Sequence, residues 1–217
     1  MRRWLSFSVI VISASLAAVP AGAAQKRIGF VAGGHLSKQP ALAGSTVFHE
    51  DVIQQSSSRA PGALAGGIFE WDFGDVGALR LEPKYMRLGT EIDVTLRRGN
   101  TPSSGTLVLD YVSLPIMYRS SLFKKKPVQV SIVSGLGADF LVSGKFRGQD
   151  VKDEFKSFGV SIQSRLGIQG KVGRGLLGVH ASIVGNLTRI DKKQTNQGKL
   201  KNSGLGLAVE YTVSLKK

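Results

Sequence analysis

Cysteine is absent from this 217-residue chain. Its absence excludes a disulfide framework, a thiolate metal site and a lipobox-type lipid anchor. Long hydrophobic runs are missing as well. Beyond residue 24 no stretch reaches the ~20 apolar residues that a membrane helix needs, which rules out a helical membrane protein. Helical repeats, heptads and a second domain are likewise missing. Acidic residues are scarce, 15 against 29 Lys and Arg, for a formal net charge of +14. The histidines show no His-x-His or His-x-x-x-His spacing. His35 and His49, in one polar stretch with Glu50 and Asp51, therefore read as solvated loop residues rather than metal ligands.

What is present begins with Met1-Arg2-Arg3, an apolar run from Trp4 to Val19, and Ala21-Gly22-Ala23. A charged start, an apolar segment and an A-x-A site describe a secretory signal peptide over residues 1–23. The alternative is an uncleaved anchor helix. Against it, the run is short and is interrupted by Ser6, Ser8, Ser13 and Ser15. Removing Arg2 and Arg3 leaves 27 basic residues against 15 acidic, a net +12. Such a charge favours anionic partners.

The remaining residues, 24–217, read as one barrel domain. Around the turn at Leu122 to Pro127, Val112, Leu114, Ile116 and Tyr118 alternate with Tyr111, Ser113, Pro115 and Met117. After the turn, Val128, Val130, Ile132, Leu136, Ala138 and Phe140 alternate with Gln129, Ser131, Gly135, Gly137 and Asp139. Period two over such lengths makes strands with two unlike faces. The same pattern recurs over Lys26 to Gly34, Ala60 to Phe73, Ala78 to Ile92, Phe155 to Gln169, Gly175 to Ile190 and Ser203 to Leu215. In the second of these the lipid side is ambiguous, with Leu64, Gly66 and Ile68 opposing Ala65, Gly67, Phe69 and Trp71. Pro83 fits the third only at a bulge.

Eight strands result. Their connections alternate long and short: His35 to Arg59, Asp93 to Thr106, Gly144 to Asp153 and Asp191 to Asn202 are long, while those at Gly74, Lys125 and Gly173 are short. The 27 glycines suit a crowded interior. The expectation is an all-β, eight-stranded antiparallel up-and-down transmembrane barrel in a bacterial outer membrane, with both termini periplasmic. A soluble lipocalin-like barrel is the alternative fold. It would put the glycine-dense polar face in water, which suits that face less well.

Three segments, ALRLEPKYMRLGTE, LDYVSLPIMYR and VSGLGADFLVSGK, together resemble the eight-stranded outer-membrane barrel domain of the PorT-like family. The resemblance covers Arg27 to Leu215. It implies a barrel without enzymatic activity that serves the envelope, surface interaction or a secretion system. Its implied partners are outer-membrane lipid, lipopolysaccharide, the barrel assembly machinery and an envelope or secretion protein. One departure concerns the end of the chain. Many such barrels finish on an aromatic residue that marks the last strand for assembly, whereas this chain finishes Tyr211-Thr-Val-Ser-Leu-Lys-Lys.

The residues that could carry chemistry fall on the polar side of the alternation: Arg80, Glu82, Lys84, Arg119, Asp139, Arg165, His180 and Glu210, with Glu70 beside them. An eight-stranded barrel is just wide enough for its own side chains to fill. Charges placed there must pair, since a lone buried charge costs several kcal/mol. A structural polar plug is therefore expected, ahead of a solute path or an active site.

His180 with Ser182 and Asn186 invites comparison with a nucleophilic site in a lipid-modifying barrel enzyme, but there is no nucleophile elbow. No metal or cofactor is expected. VSGLGADF is followed by no helix, which excludes a dinucleotide loop. Lys124, Lys125 and Lys126 mark a turn at the edge of the lipid band or meet inner-leaflet phosphates. Arg97, Arg98, Lys192, Lys193, Lys199 and Lys201 lie in outer loops, where lipopolysaccharide phosphates would meet them. Nucleic acid is excluded by export and by basic residues scattered without interleaved aromatics.

Overall fold

Strands with one apolar and one polar face can bury every backbone group in a bilayer only by closing on themselves. The computed structural model shows that closure. It describes residues 25–38, 52–96, 102–123, 126–188 and 202–215. Among these are ten strands: β1 (Gln25–Lys38), β2 (Val52–Asp72), β3 (Ala78–Leu81), β4 (Lys84–Leu96), β5 (Pro102–Leu122), β6 (Val128–Phe146), β7 (Gln149–Asp150), β8 (Phe158–Val172), β9 (Gly175–Asn186) and β10 (Ser203–Ser214). Two 3-10 turns, Gly74–Val76 and Lys152–Glu154, are the only helical geometry among the described residues. β7 is a short return onto β6, and β3 and β4 are two pieces of one wall strand. Eight strands thus form an antiparallel ring, and β10 closes it on β1 from Arg27↔Ser214 to Lys38↔Ser203.

The break between β3 and β4 falls at Glu82-Pro83. Proline has no N–H to give to the ladder. The register nevertheless runs straight through. Leu81 faces Phe69 and Lys84 faces Gly66 on the β2 side, while Leu81 faces Ile116 and Lys84 faces Ser113 on the β5 side. Alternation therefore survives, with Arg80, Glu82, Lys84 and Met86 all buried in the lumen. Pro115 lies across from this break, and its carbonyl accepts from the Glu82 N–H at 3.1 Å. Pro61 sits within a register shift between Ala60 and Ala63, a bulge that tolerates its missing donor.

The outer face carries a continuous apolar band. Ile116, Leu166, Ile183 and Leu207 are each more than half exposed, as are Phe30 and Leu136. Phe69, Trp71 and Phe123 lie outward on the side of the short turns, and Tyr85, Phe140 and Phe158 lie nearer the long loops. Aromatic residues at both edges of such a band are the girdle of an outer-membrane barrel.

The strands reach further into the long connections than alternation indicates. Of the stretch His35 to Arg59, residues 35–38 belong to β1 and residues 52–59 to β2. β4 likewise runs on to Leu96, and β6 to Phe146. The reason is that outward residues above the lipid band are polar, which hides the period. Ser56, Ser58, Glu91 and Asp93 are exposed there, and the Ser58 hydroxyl donates to Glu91 at 3.0 Å. Among the described residues the wall is therefore taller on the β2–β4–β5–β6 side. In the opposite sense, β8 begins at Phe158 rather than Phe155, and β9 ends at Asn186 rather than Ile190. On β2 the ambiguity resolves with Leu64, Ile68 and Glu70 inward and Phe69 and Trp71 outward.

Candidate functional site

The interior divides into two halves. On the turn side, neighbouring strands bring opposite charges together at consecutive inward positions. The guanidinium of Arg80 donates to Glu70 at 2.7 and 3.0 Å and to Glu210 at 2.6 and 3.1 Å. Glu70 also accepts from Arg119 at 2.8 and 3.0 Å. Arg119 reaches Asp72 at 3.2 Å, and Asp72 meets Arg27 at 3.0 Å. Deeper in, Arg165 donates to Glu82 and stands 3.5 Å from Glu210, while Lys84 donates to Glu82 at 2.9 Å.

The result is one line of alternating sign, running Arg27, Asp72, Arg119, Glu70, Arg80, Glu210, Arg165, Glu82, Lys84. Asp139 stands beside it and accepts from the Ser113 hydroxyl at 2.5 Å. Gln163 ties the Ser113 and Ser161 hydroxyls, donating to each at 3.1 Å. Arg80, Lys84, Arg119 and Arg165 thus balance Glu70, Glu82, Asp139 and Glu210, and all eight are nearly or fully buried. Buried charges are tolerated where they are paired and multiply hydrogen-bonded.

On the loop side many inward positions are apolar, with His35, Ser37, Thr90, Asn186 and Asn202 buried among them. Leu88, Ile92, Leu107, Leu109, Tyr111, Leu141, Phe146 and Phe155 form one buried cluster. Val31, Leu64, Ile68, Met86 and Ala208 form another. Phe155, which follows the Lys152–Glu154 turn, folds into the first cluster and is 2% exposed. This half was missed in the sequence because a polar interior is expected of a membrane barrel. The signal was there in Leu107, Leu109 and Tyr111, which share a face with Ser113.

The structure places all eight polar residues singled out above in the lumen, and Glu70 joins them. It adds Asp72 and Arg27, which link the network to the turn-side mouth. His35 is overturned as a solvated loop residue. It lies on β1, buried at 5% exposure, beside Gly62 and Gly204. His49, Glu50 and Asp51 lie outside the described residues, as do Lys124, Lys125, Arg97, Arg98, Lys192, Lys193, Lys199 and Lys201. Lys126 is described and exposed.

The histidine site differs from the expected one. His180 Nδ1 is 3.5 Å from the Ser131 hydroxyl and Nε2 is 3.4 Å from Glu210, whereas the Ser182 hydroxyl has no hydrogen-bond partner among the described residues. Ser131 and His180 are both fully buried, and Glu210 is held by Arg80. Among the described residues no three His, Asp or Glu side chains are grouped to hold a metal.

At the turn-side mouth, Gln25, Arg27, Asp72, Asp75, Arg119 and Gln129 line a polar vestibule of about 380 Å³. On the lipid side a shallow apolar groove runs between β5 and β6 past Leu114, Ile116, Leu136 and Ala138.

Three solved structures align with most of the chain. Neisserial surface protein A aligns over 85% of this chain and 95% of its own at 14% identity, with a TM-score of 0.46. The outer membrane protein OprG of Pseudomonas aeruginosa aligns over 86% and 96% at 11% identity, TM-score 0.42. Ail, the attachment invasion locus protein of Yersinia pestis, solved with the heparin analogue sucrose octasulfate, aligns over 87% and 99% at 13% identity, TM-score 0.38. No curated protein matches the sequence. The model of the outer membrane protein β-barrel domain family matches residues 23–217, and the chain belongs to that family.

Proposed function

We propose that this barrel is closed, non-conducting and non-enzymatic, and that it works through what its outer surface contacts. The observation that carries the reading is the set of large side chains buried inside the ring. A charge-balanced network occupies the turn side and an apolar cluster the loop side. A barrel filled in this way has a structural interior, which leaves the lipid-facing wall and the long connections for partners. The reading includes membership of the PorT-like branch and a role in envelope structure, surface interaction or assistance to a secretion system. Residues 1–23 act as a cleaved signal peptide, and the barrel assembly machinery inserts the mature chain with both termini in the periplasm. Outer-leaflet lipid and lipopolysaccharide surround it. The alternation of long and short connections supports that orientation.

Planar-bilayer recording of the purified protein tests closure. The expected result is no stepwise conductance in molar salt. Steady open-channel currents would sink the plugged reading and favour a barrel that passes small solutes. Whole-cell labelling with an impermeant thiol reagent tests orientation. Ser58→Cys should label and Lys126→Cys should not, and the reverse pattern would invert the topology.

A further inference from the structure

The apolar groove on the outer wall has its cause in the sequence of β6. The outward positions Ser134 and Ala138 are small on either side of Leu136, and Gly135 and Gly137 add no side chain between them. A Cβ at Gly135 would run into the Ile116 carbonyl, so β5 and β6 approach closely there. The floor is therefore low, while Leu114, Ile116 and Leu136 stand exposed along it. The Ser134 hydroxyl is tied to that of Ser164 at 3.0 Å.

The same two strands carry a charged rung above the groove. Asp110 on β5 lies four residues from Leu114, ~13 Å along the strand. Its carboxylate accepts from Arg87 Nε at 2.8 Å and from the Tyr85 hydroxyl at 2.6 Å, and Lys145 on β6 adds a second cation to its surroundings. Two cations thus meet one carboxylate. The Arg87 side chain is 52% exposed, and its Nη1 makes no hydrogen bond with the described residues. Lys145 is exposed and forms no ion pair with the described residues. Two further acids are engaged elsewhere. Glu91, four residues up β4, accepts from the Ser58 hydroxyl at 3.0 Å, and Asp150, opposite Lys145 on β7, accepts from the Lys152 N–H at 2.9 Å.

We propose that β4, β5 and β6 form a binding site for the lipid A part of lipopolysaccharide, with one acyl chain in the groove and a phosphate on Arg87 and Lys145. The inference rests on the reading that the long connections face outward, and it gives lipopolysaccharide a specific seat on the wall. The open edge of the Arg87 guanidinium suits phosphate oxygens, and Lys145 supplies a point charge. Height decides the leaflet. Arg87 follows Tyr85, at the loop-side edge of the apolar band, by two residues, which is the level of lipid headgroups. At the other end Lys126 lies eight residues beyond Tyr118, the last β5 residue of the groove. A phospholipid of the periplasmic leaflet would therefore hold its phosphate far from the groove that takes its chain.

The test uses the full processed protein, purified in detergent and titrated with lipid under native mass spectrometry. The probes are hexa-acylated bisphosphoryl lipid A, the same lipid with its phosphates removed, and phosphatidylglycerol. Wild type should bind one bisphosphoryl lipid A roughly tenfold or more tightly than either of the others. Arg87→Gln with Lys145→Gln should lose about 10–30-fold for the bisphosphoryl form and bind the dephosphorylated form as wild type does. Ala138→Phe fills the groove and leaves the cations, so it should weaken both forms of lipid A alike. Lys145→Gln alone carries the charge arm if Arg87→Gln unsettles Asp110. Unchanged affinity in the charge variants, or phosphatidylglycerol bound as tightly as lipid A, overturns the site. Labelling of Ser58→Cys and Lys126→Cys separates the two ways to fail. With the expected pattern, a lost preference for lipid A overturns the site alone. With the inverted pattern the orientation falls, and the outer-leaflet occupant falls with it.

Discussion

The turn-side and loop-side halves of the lumen fill the same cylinder by opposite means. On the turn side each side chain needs a named partner at hydrogen-bond distance. Arg80 holds two carboxylates at once, and Glu70 holds two guanidiniums. On the loop side Leu107, Leu109 and Ile92 need only to fill volume, and any apolar neighbour of the right size serves. The difference teaches where the interior is specified and where it is merely packed. A paired half fails when one member is lost, because its partners stay buried with their charge. An apolar half fails by the volume removed.

The largest expected effect is therefore at the pivot of the network. Arg80→Ala strands Glu70 and Glu210 and should cost about 3–5 kcal/mol, read as a lowered urea midpoint for the folded protein in detergent. A midpoint within error of wild type would mean that water already solvates these charges. Next comes Leu109→Ala, a fully buried apolar truncation, expected to cost about 2–4 kcal/mol in the same assay. The matched change on the lipid face, Ile162→Leu, should stay within roughly 0.5 kcal/mol because lipid accepts either side chain.

The smallest expected effect is the coupling between halves. Arg80 and Leu109 share no partner, so the double variant should equal the sum of the singles to within about 0.5 kcal/mol. A larger deviation would show that the two halves melt as one unit, and the comparison would fail.

Much of this architecture could be read in the sequence, but not evenly. Strand number, the ring and the inward set Arg80, Glu82, Lys84, Arg119, Asp139, Arg165, His180 and Glu210 follow from period two, which a proline does not erase when the register continues across it. Partners within that set do not follow, because pairing depends on which strands neighbour each other and at what stagger. Asp72 and Arg27 were missed since they flank strand ends, where alternation has too few residues to count. The strand ends near the loops were misjudged because residues such as Ser58 and Glu91 are polar outward while Ile92 is apolar inward. Above the bilayer the usual meaning of the two faces is exchanged, and a pattern tuned to lipid reads as loop.

The Glu82-Pro83 interruption lets a backbone gap and a side-chain tie coincide. At this point the wall has a seam: one strand lacks the amide of Pro83, and the facing strand lacks that of Pro115. Glu82 lies at the seam and reaches inward to Lys84 and Arg165, and through Arg165 to the far side of the ring. The carboxylate thus acts as a cross-brace where the hoop of main-chain bonds is thinnest. The wall and its filling are not separable at this seam. Loosening the brace would let the hoop spread, and a spread hoop would release the brace.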